Sequence, residues 1–132
     1  MREIKFRAKI KGDAGVYKAW SIDWLWQKAL VSRACGDEYV KFDRIEALMQ
    51  YTGLKDRNGA KIFEGDIVKA WMYDDEFHIL KIYFEDGAFL IDFQDSDSDL
   101  TTIGWFIENG GNVEIIGNIY ENPELLGTLW KS

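Results

Sequence analysis

Cysteine, proline and histidine each occur once in the 132 residues, as Cys35, Pro123 and His78. A lone cysteine forms no internal disulfide and supplies no Cys-x-x-Cys zinc or redox motif. A lone proline leaves the punctuation to twelve glycines, so tight turns rather than proline-rich linkers divide the chain. His78 has no serine or cysteine nucleophile pattern beside it, and reads as a structural histidine on a strand with Leu80, Ile82 and Phe84. No GxxxxGK[ST] or GxGxxG spacing is present to cradle a phosphate. No apolar run approaches the ~20 residues that cross a bilayer, and no basic stretch leads into an apolar leader. The expectation is a cytoplasmic protein that contacts no membrane.

Basic residues are scarce where acids are plentiful. Residues 1–65 hold 13 Lys+Arg against 9 Asp+Glu, whereas residues 66–132 hold 3 against 14. The total of −7 argues against a general nucleic-acid binder, which is basic as a rule. The asymmetry suits orientation of a partner or of subunits, and equally suits simple solubility.

What the chain has in abundance is aromatic surface: aromatics are 15% of its residues, and six are tryptophans. Trp is large and seldom fully buried, so some of Trp20, Trp24, Trp26, Trp71, Trp105 and Trp130 are expected at the surface. Exposed Trp is enriched at binding hot spots.

The hydrophobic pattern is that of strands. In REIKFRAKI the apolar Ile4, Phe6, Ala8 and Ile10 alternate with Lys5, Arg7 and Lys9, which predicts one core face and one basic face. VYKAWSIDWLW continues extended and would align Trp20, Trp24 and Trp26 if the strand ran straight through. QKALVSRA allows a short helix ended by Gly36, and RIEALMQYTGL begins as a turn and finishes extended. DRNG sets Asp56, Asn58 and Gly59 at the first, third and fourth positions of a type I turn, and Gly65 and Asp66 bend the chain again. DIVKAWMY, FHILKIYF, AFLIDF, LTTIGWFI and VEIIGNIY read as further strands. In NPELLG, Asn122 caps and Pro123 opens a helical turn that ends near Gly127. Short strands with frequent turns predict an all-β barrel or sandwich in one domain.

Three segments, MREIKFRA, QYTGLKDRNGAKIFEGDIV and VEIIGNIYENPELL, resemble the YopX family of phage and prophage proteins. The resemblance implies a mainly β fold, an SH3-like barrel with additional N-terminal strands and a short C-terminal helical turn. Residues 1–50 would supply the N-terminal strands, 51–121 the barrel hairpins and 122–132 the C-terminal turn and tail. It implies a bacterial cytoplasm as the setting and brings no catalytic residues. AWSIDWLWQKALVSRACGDEY departs from the family's pattern in being longer and more aromatic.

Gly53, Asp56, Asn58, Gly59, Gly65, Asp66 and Gly117 therefore have a structural explanation first, as turn and close-approach residues. Asp95, Asp97 and Asp99 imitate the start of a calcium loop, but Leu100 replaces its glycine and Phe106 its bidentate glutamate, so a solvated acidic loop is expected. No catalytic, cofactor or metal residue is assigned. The candidate interaction surface is Trp20, Trp24 and Trp26 with Lys5, Arg7 and Lys9. The functional expectation is a non-enzymatic interaction module with a protein partner or a second copy of itself. The alternatives are a nucleic-acid accessory protein stacking bases on its aromatics, and an acidic DNA mimic that inhibits a host enzyme.

Overall fold

The computed structural model describes residues 3–72, 77–91 and 101–129, with side chains to residue 126. The chain divides into two compact units, Met1–Tyr51 and Thr52–Ser132. Strands dominate both.

The first unit holds β1 (Phe6–Ile10), β2 (Val16–Asp23), β3 (Lys28–Arg33), β4 (Gly36–Lys41), a 3₁₀ turn (Phe42–Arg44) and the start of β5 (Ile45–Lys55). These strands are antiparallel in the order β4-β3-β2-β1-β5. Their inner face gathers Ala8, Ile10, Ala29, Val31 and Val40. QKALVSRA, for which a short helix was open, is β3: Ala29 and Val31 lie buried two apart while Leu30 and Ser32 face the other way. A bulge between Ala19 and Ser21 rotates Trp20, and β2 stops at Asp23. Trp20, Trp24 and Trp26 therefore do not lie along one straight strand.

The second unit takes up the end of β5 and adds β6 (Lys61–Phe63), β7 (Asp66–Met72), β8 (His78–Glu85), β9 (Ala88–Ile91), β10 (Thr101–Thr102), α1 (Ile103–Glu108), β11 (Gly111–Asn118) and α2 (Glu124–Leu129). β6 lies beside β5, and the remaining strands run in the order β10-β9-β8-β7-β11. Ile62, Val68, Ala70, Leu80, Ile82, Ile91, Ile103, Phe106 and Val113 form its core. No barrel closes among the described strands, whose pairings end at β10 and at β11. The closed SH3-like barrel implied by the family resemblance is not seen, and the fold is two antiparallel sheets with two short helices.

Two segments differ from their sequence reading. IGWFIE, expected as strand, is α1: Thr102 Oγ1 accepts the Trp105 N–H, and Ile103 and Phe106 bury one helical turn apart. Asn122 does not cap α2 with its side chain, because its Oδ1 accepts the Asn118 N–H at 3.3 Å. Its backbone carbonyl takes the Leu125 N–H instead, and α2 runs past Gly127 to Leu129. Phe93 and Asp95, Asp97 and Asp99 lie outside the described residues.

The turn at Asp56 ties the second unit together. Gly59 N–H donates to the Asp56 carbonyl, Asp56 N–H donates to the Ala60 carbonyl, and Gly59 takes a φ of +84° that favours glycine. Asp56 Oδ1 accepts the N–H groups of Asn58 and Ala60, each at 2.9 Å. Its Oδ2 accepts Ile115 N–H at 3.1 Å, which reaches from the first turn of the unit to its last strand. Replacing Asp56 by Ala is expected to lower unfolding stability by about 2–3 kcal/mol, the scale of hydrogen bonds to a charged acceptor. Asp56→Asn, which keeps one acceptor oxygen for the turn, is expected to lose roughly half of that; equal loss in both, read by urea denaturation, would contradict this division between the turn and the Ile115 contact.

Candidate interaction surface

The β2–β3 hairpin ends in a turn whose tip is Trp24-Leu25-Trp26. Asp23 Oδ1 accepts the Trp26 N–H at 2.9 Å, closing the tip with a side chain that mimics backbone. Gln27 takes the left-handed conformation with φ +51°, and its carbonyl receives the Phe42 N–H at 2.8 Å. The Trp24 ring meets the Phe42 ring edge-on, with centroids 5.6 Å apart. With its backbone so fixed, the tip holds three apolar side chains in water: Trp24 is 64%, Leu25 83% and Trp26 70% exposed.

Trp20 stands on the same hairpin. Its indole N–H donates to Asp37 Oδ1 at 3.2 Å, and the Lys18 ammonium lies 3.9 Å from the ring centroid. Lys28 covers the exposed Tyr39 ring at 4.4 Å. These cations sit over aromatic faces, where the ring quadrupole attracts them.

The row Lys5, Arg7 and Lys9 is arranged differently from the solvent-facing basic strip expected of it. Lys9 is only 9% exposed; its ammonium donates to the Ile10 carbonyl at 3.0 Å and lies 4.0 Å from Glu46. Arg7 is half-buried, and Lys5 pairs with Glu3 at 2.8 Å. The cause is the position of β1 inside the sheet, where Arg7 is in register with Lys18 on one side and buried Met49 on the other.

Of the turn residues, Asp66 is buried and accepts the Phe63 N–H at 2.8 Å, while Gly65 donates to the Ile82 carbonyl and takes φ +87°. Gly53 bends β5 with φ +88°. Gly117 sits at a bulge in β11, where a Cβ would come within 2.5 Å of Asn122 Oδ1. Their polar atoms and backbone space are taken up by the fold itself. Cys35 is exposed in the β3–β4 turn, and His78 is half-buried on β8. Trp105 is exposed, Trp71 half-buried beneath Arg57 and Lys69, and Trp130 lies outside the described residues. Sequence reasoning missed Leu25, Phe42, Asp37 and Tyr39; only the length of the hairpin turn, which depends on where β2 stops, would have found them.

One charged cluster braces the first unit. Arg33 pairs with Asp13 at 2.7 Å and with Glu38 at 3.2 Å, and Arg44 lies 3.6 Å from Glu38. Asp13 also accepts the Gly15 N–H at 2.8 Å and the Tyr17 hydroxyl at 3.0 Å. The Gly15 N–H most of all, then the Tyr17 hydroxyl and the Arg33 guanidinium, hold the Asp13 carboxyl below the usual carboxylate range.

The molecule thus belongs to a class of small, mainly β proteins built on two antiparallel sheets. The YopX protein family matches residues 5–127, and the chain belongs to that family. It is 30% identical, over 128 aligned residues covering 83% of this chain and 94% of the relative, to the SPbeta prophage-derived uncharacterized protein YopX of Bacillus subtilis (strain 168). The crystal structure of YopX from Bacillus subtilis superposes with a TM-score of 0.62 at 26% identity, covering 96% of this chain and 99% of that one. Protein EF1440 from Enterococcus faecalis gives 0.58 at 26% identity with the same coverage. None of these names carries an enzymatic activity. Among the described residues no group of His, Cys, Asp and Glu is placed to hold a metal ion, and no helix is long and apolar enough to cross a membrane.

The Asp13 cluster has a definite pH signature. Because the folded pKa is depressed, its stabilisation is complete above the ordinary aspartate value of about 3.9 and disappears as pH falls through the lower folded value. Wild type should be more stable than Asp13→Asn at neutral pH, and the difference should vanish in acid. A difference that stays constant in urea titrations across that range would contradict the assignment.

Proposed function

We propose that this protein is a phage-encoded, non-enzymatic interaction module that acts in the cytoplasm of a bacterial host and seats the Trp24-Leu25-Trp26 tip in an apolar pocket of a partner protein. The observation that carries this reading is a backbone-fixed tip with three large apolar side chains in water. Burying one such side chain is worth about 1.5–3 kcal/mol, and rigid aromatic anchors lose little conformational freedom on binding. The prophage origin of the Bacillus subtilis relative supports a phage setting. The same reading takes the second unit as SH3-like, on a meander from β7 to β10 after which the chain passes through the helical turn α1 and β11 returns to pair with β7.

Recognition of nucleic acid is the weaker reading, because Lys9 is engaged with the Ile10 carbonyl and Lys5 with Glu3. Tagged protein is therefore to be used in pull-downs from host lysate with and without nuclease. A specific host protein retained after nuclease, and lost with Trp24→Ala or Trp26→Ala, is the expected result. Each substitution should weaken binding at least about 30-fold, the equivalent of a 2 kcal/mol hot spot, while thermal stability moves little because the rings are exposed. Captured material that disappears with nuclease, or that ignores both substitutions, would defeat the proposal.

A further inference from the structure

The outer edge of β4 has no strand beside it among the described residues. β4 ends the strand order of its sheet, and Gly36, Asp37, Tyr39 and Lys41 are exposed along it. Lys28 pairs with Lys41, so Gln27 and Phe42 are opposite one another, and the Phe42 N–H donates to the Gln27 carbonyl at 2.8 Å. In an antiparallel ladder the hydrogen-bonded pairs alternate. Val40 and Glu38 therefore turn their backbone groups towards β3, and Lys41, Tyr39 and Asp37 turn theirs to the open edge.

We propose that two copies of this chain join antiparallel through β4, about a two-fold axis at Tyr39, into one continuous sheet. In that register Tyr39 faces Tyr39 of the second copy, and Asp37 faces Lys41 on both sides of the axis. Each of these three pairs has its N–H and carbonyl groups directed at the other strand, so each exchanges two backbone hydrogen bonds. On the inner face Glu38 lies opposite Val40, and its charge is already balanced by Arg33 and Arg44. The nearest registers that keep the ladder in phase are worse. A slip of two residues in the pairing sum either sets Glu38 against Glu38, where like charges oppose, or carries Asp37 past the end of β4 to the 3₁₀ turn at Asp43, and each slip leaves two hydrogen-bonded pairs instead of three. Charged residues on an edge usually guard it against pairing. Here their order, Asp37 then Tyr39 then Lys41, selects one partner and one register.

This inference is independent of the tip, which remains exposed on each copy's own hairpin. Its test is register-specific. In a Cys35→Ser background, Tyr39→Cys should form a disulfide-linked dimer under mild oxidation, since facing residues of a hydrogen-bonded pair lie about 5.5 Å apart at Cα. Asp37→Cys should not, because its own counterpart is four residues along the strand, about 13 Å away. Sedimentation of the unmodified chain across a concentration series should move from 15.3 kDa towards twice that mass. Lys41→Asp should hold it at the monomer, and the exchange Asp37→Lys with Lys41→Asp should restore the dimer. Folding of each variant is checked by Trp fluorescence, and the cysteine pair decides the matter if the exchange variant is unstable. A monomer throughout with no cross-link at position 39, equal cross-linking at 37 and 39, or a dimer indifferent to Lys41→Asp would overturn the proposal.

Discussion

The second unit depends on one carboxylate. Asp56 satisfies two N–H groups of its own turn and a third on β11, so the hairpin that opens the unit and the strand that ends its sheet share an acceptor. Arg57 N–H adds a bond to the Val113 carbonyl beside it. Contacts 59 residues apart are costly to close in chain entropy. Two adjacent bonds at a turn already rigid on its own reduce the freedom that remains to be lost. Once β11 is placed there, its register along β7 follows, and with it the burial of Val113 against Ile103 and Phe106.

The turn at Asp56 was legible in the sequence because it is local, whereas its bond to Ile115 was not. Asp-Arg-Asn-Gly states its turn through residue types that each have a physical reason to be there, and the flanking apolar residues state the strands. What the sequence could not state was anything decided by neighbours. The alternation of Lys5, Arg7 and Lys9 gives a correct period but not the solvent: an internal strand has buried Met49 on one side, and Lys9 bends to a carbonyl. IGWFIE has β-branched and aromatic residues that suit a strand. It is helical because Thr102 supplies a cap and because Ile103 and Phe106 find one core when spaced a turn apart. Asn122 has the right type and place to cap α2, yet the Gly117 bulge brings Asn118 within its reach first. In each case a contact from another element outweighed a preference worth about 1 kcal/mol or less.

The candidate surface was legible only in composition. Six tryptophans in a small domain require exposure of some. Which ones, and how they are held, depends on the bulge at Trp20 and on the carboxylate of Asp23. A bulge sets one extra residue in a strand, shifting the register and bending the strand there, so that one side chain is redirected. Here it turns Trp20 towards Asp37 and Lys18, while the apolar face of the sheet continues through Ala19 and Ile22.

The turn residues and the tryptophan hairpin do different physical work. Asp56, Gly59, Gly65, Asp66 and Gly117 are engaged by backbone atoms or by positive φ, so little of their chemistry faces outward. Residues 19–39 instead contribute Trp20, Trp24, Leu25, Trp26 and Tyr39 to the surface. A residue bound to backbone cannot change without cost to the fold. Exposed aromatics on a fixed turn can be altered at small cost in stability, and aromatic surface of this kind suits recognition by area and shape. On the proposed reading the turn-rich segments mark how the chain folds, and the tryptophan hairpin is the part left free to meet a partner.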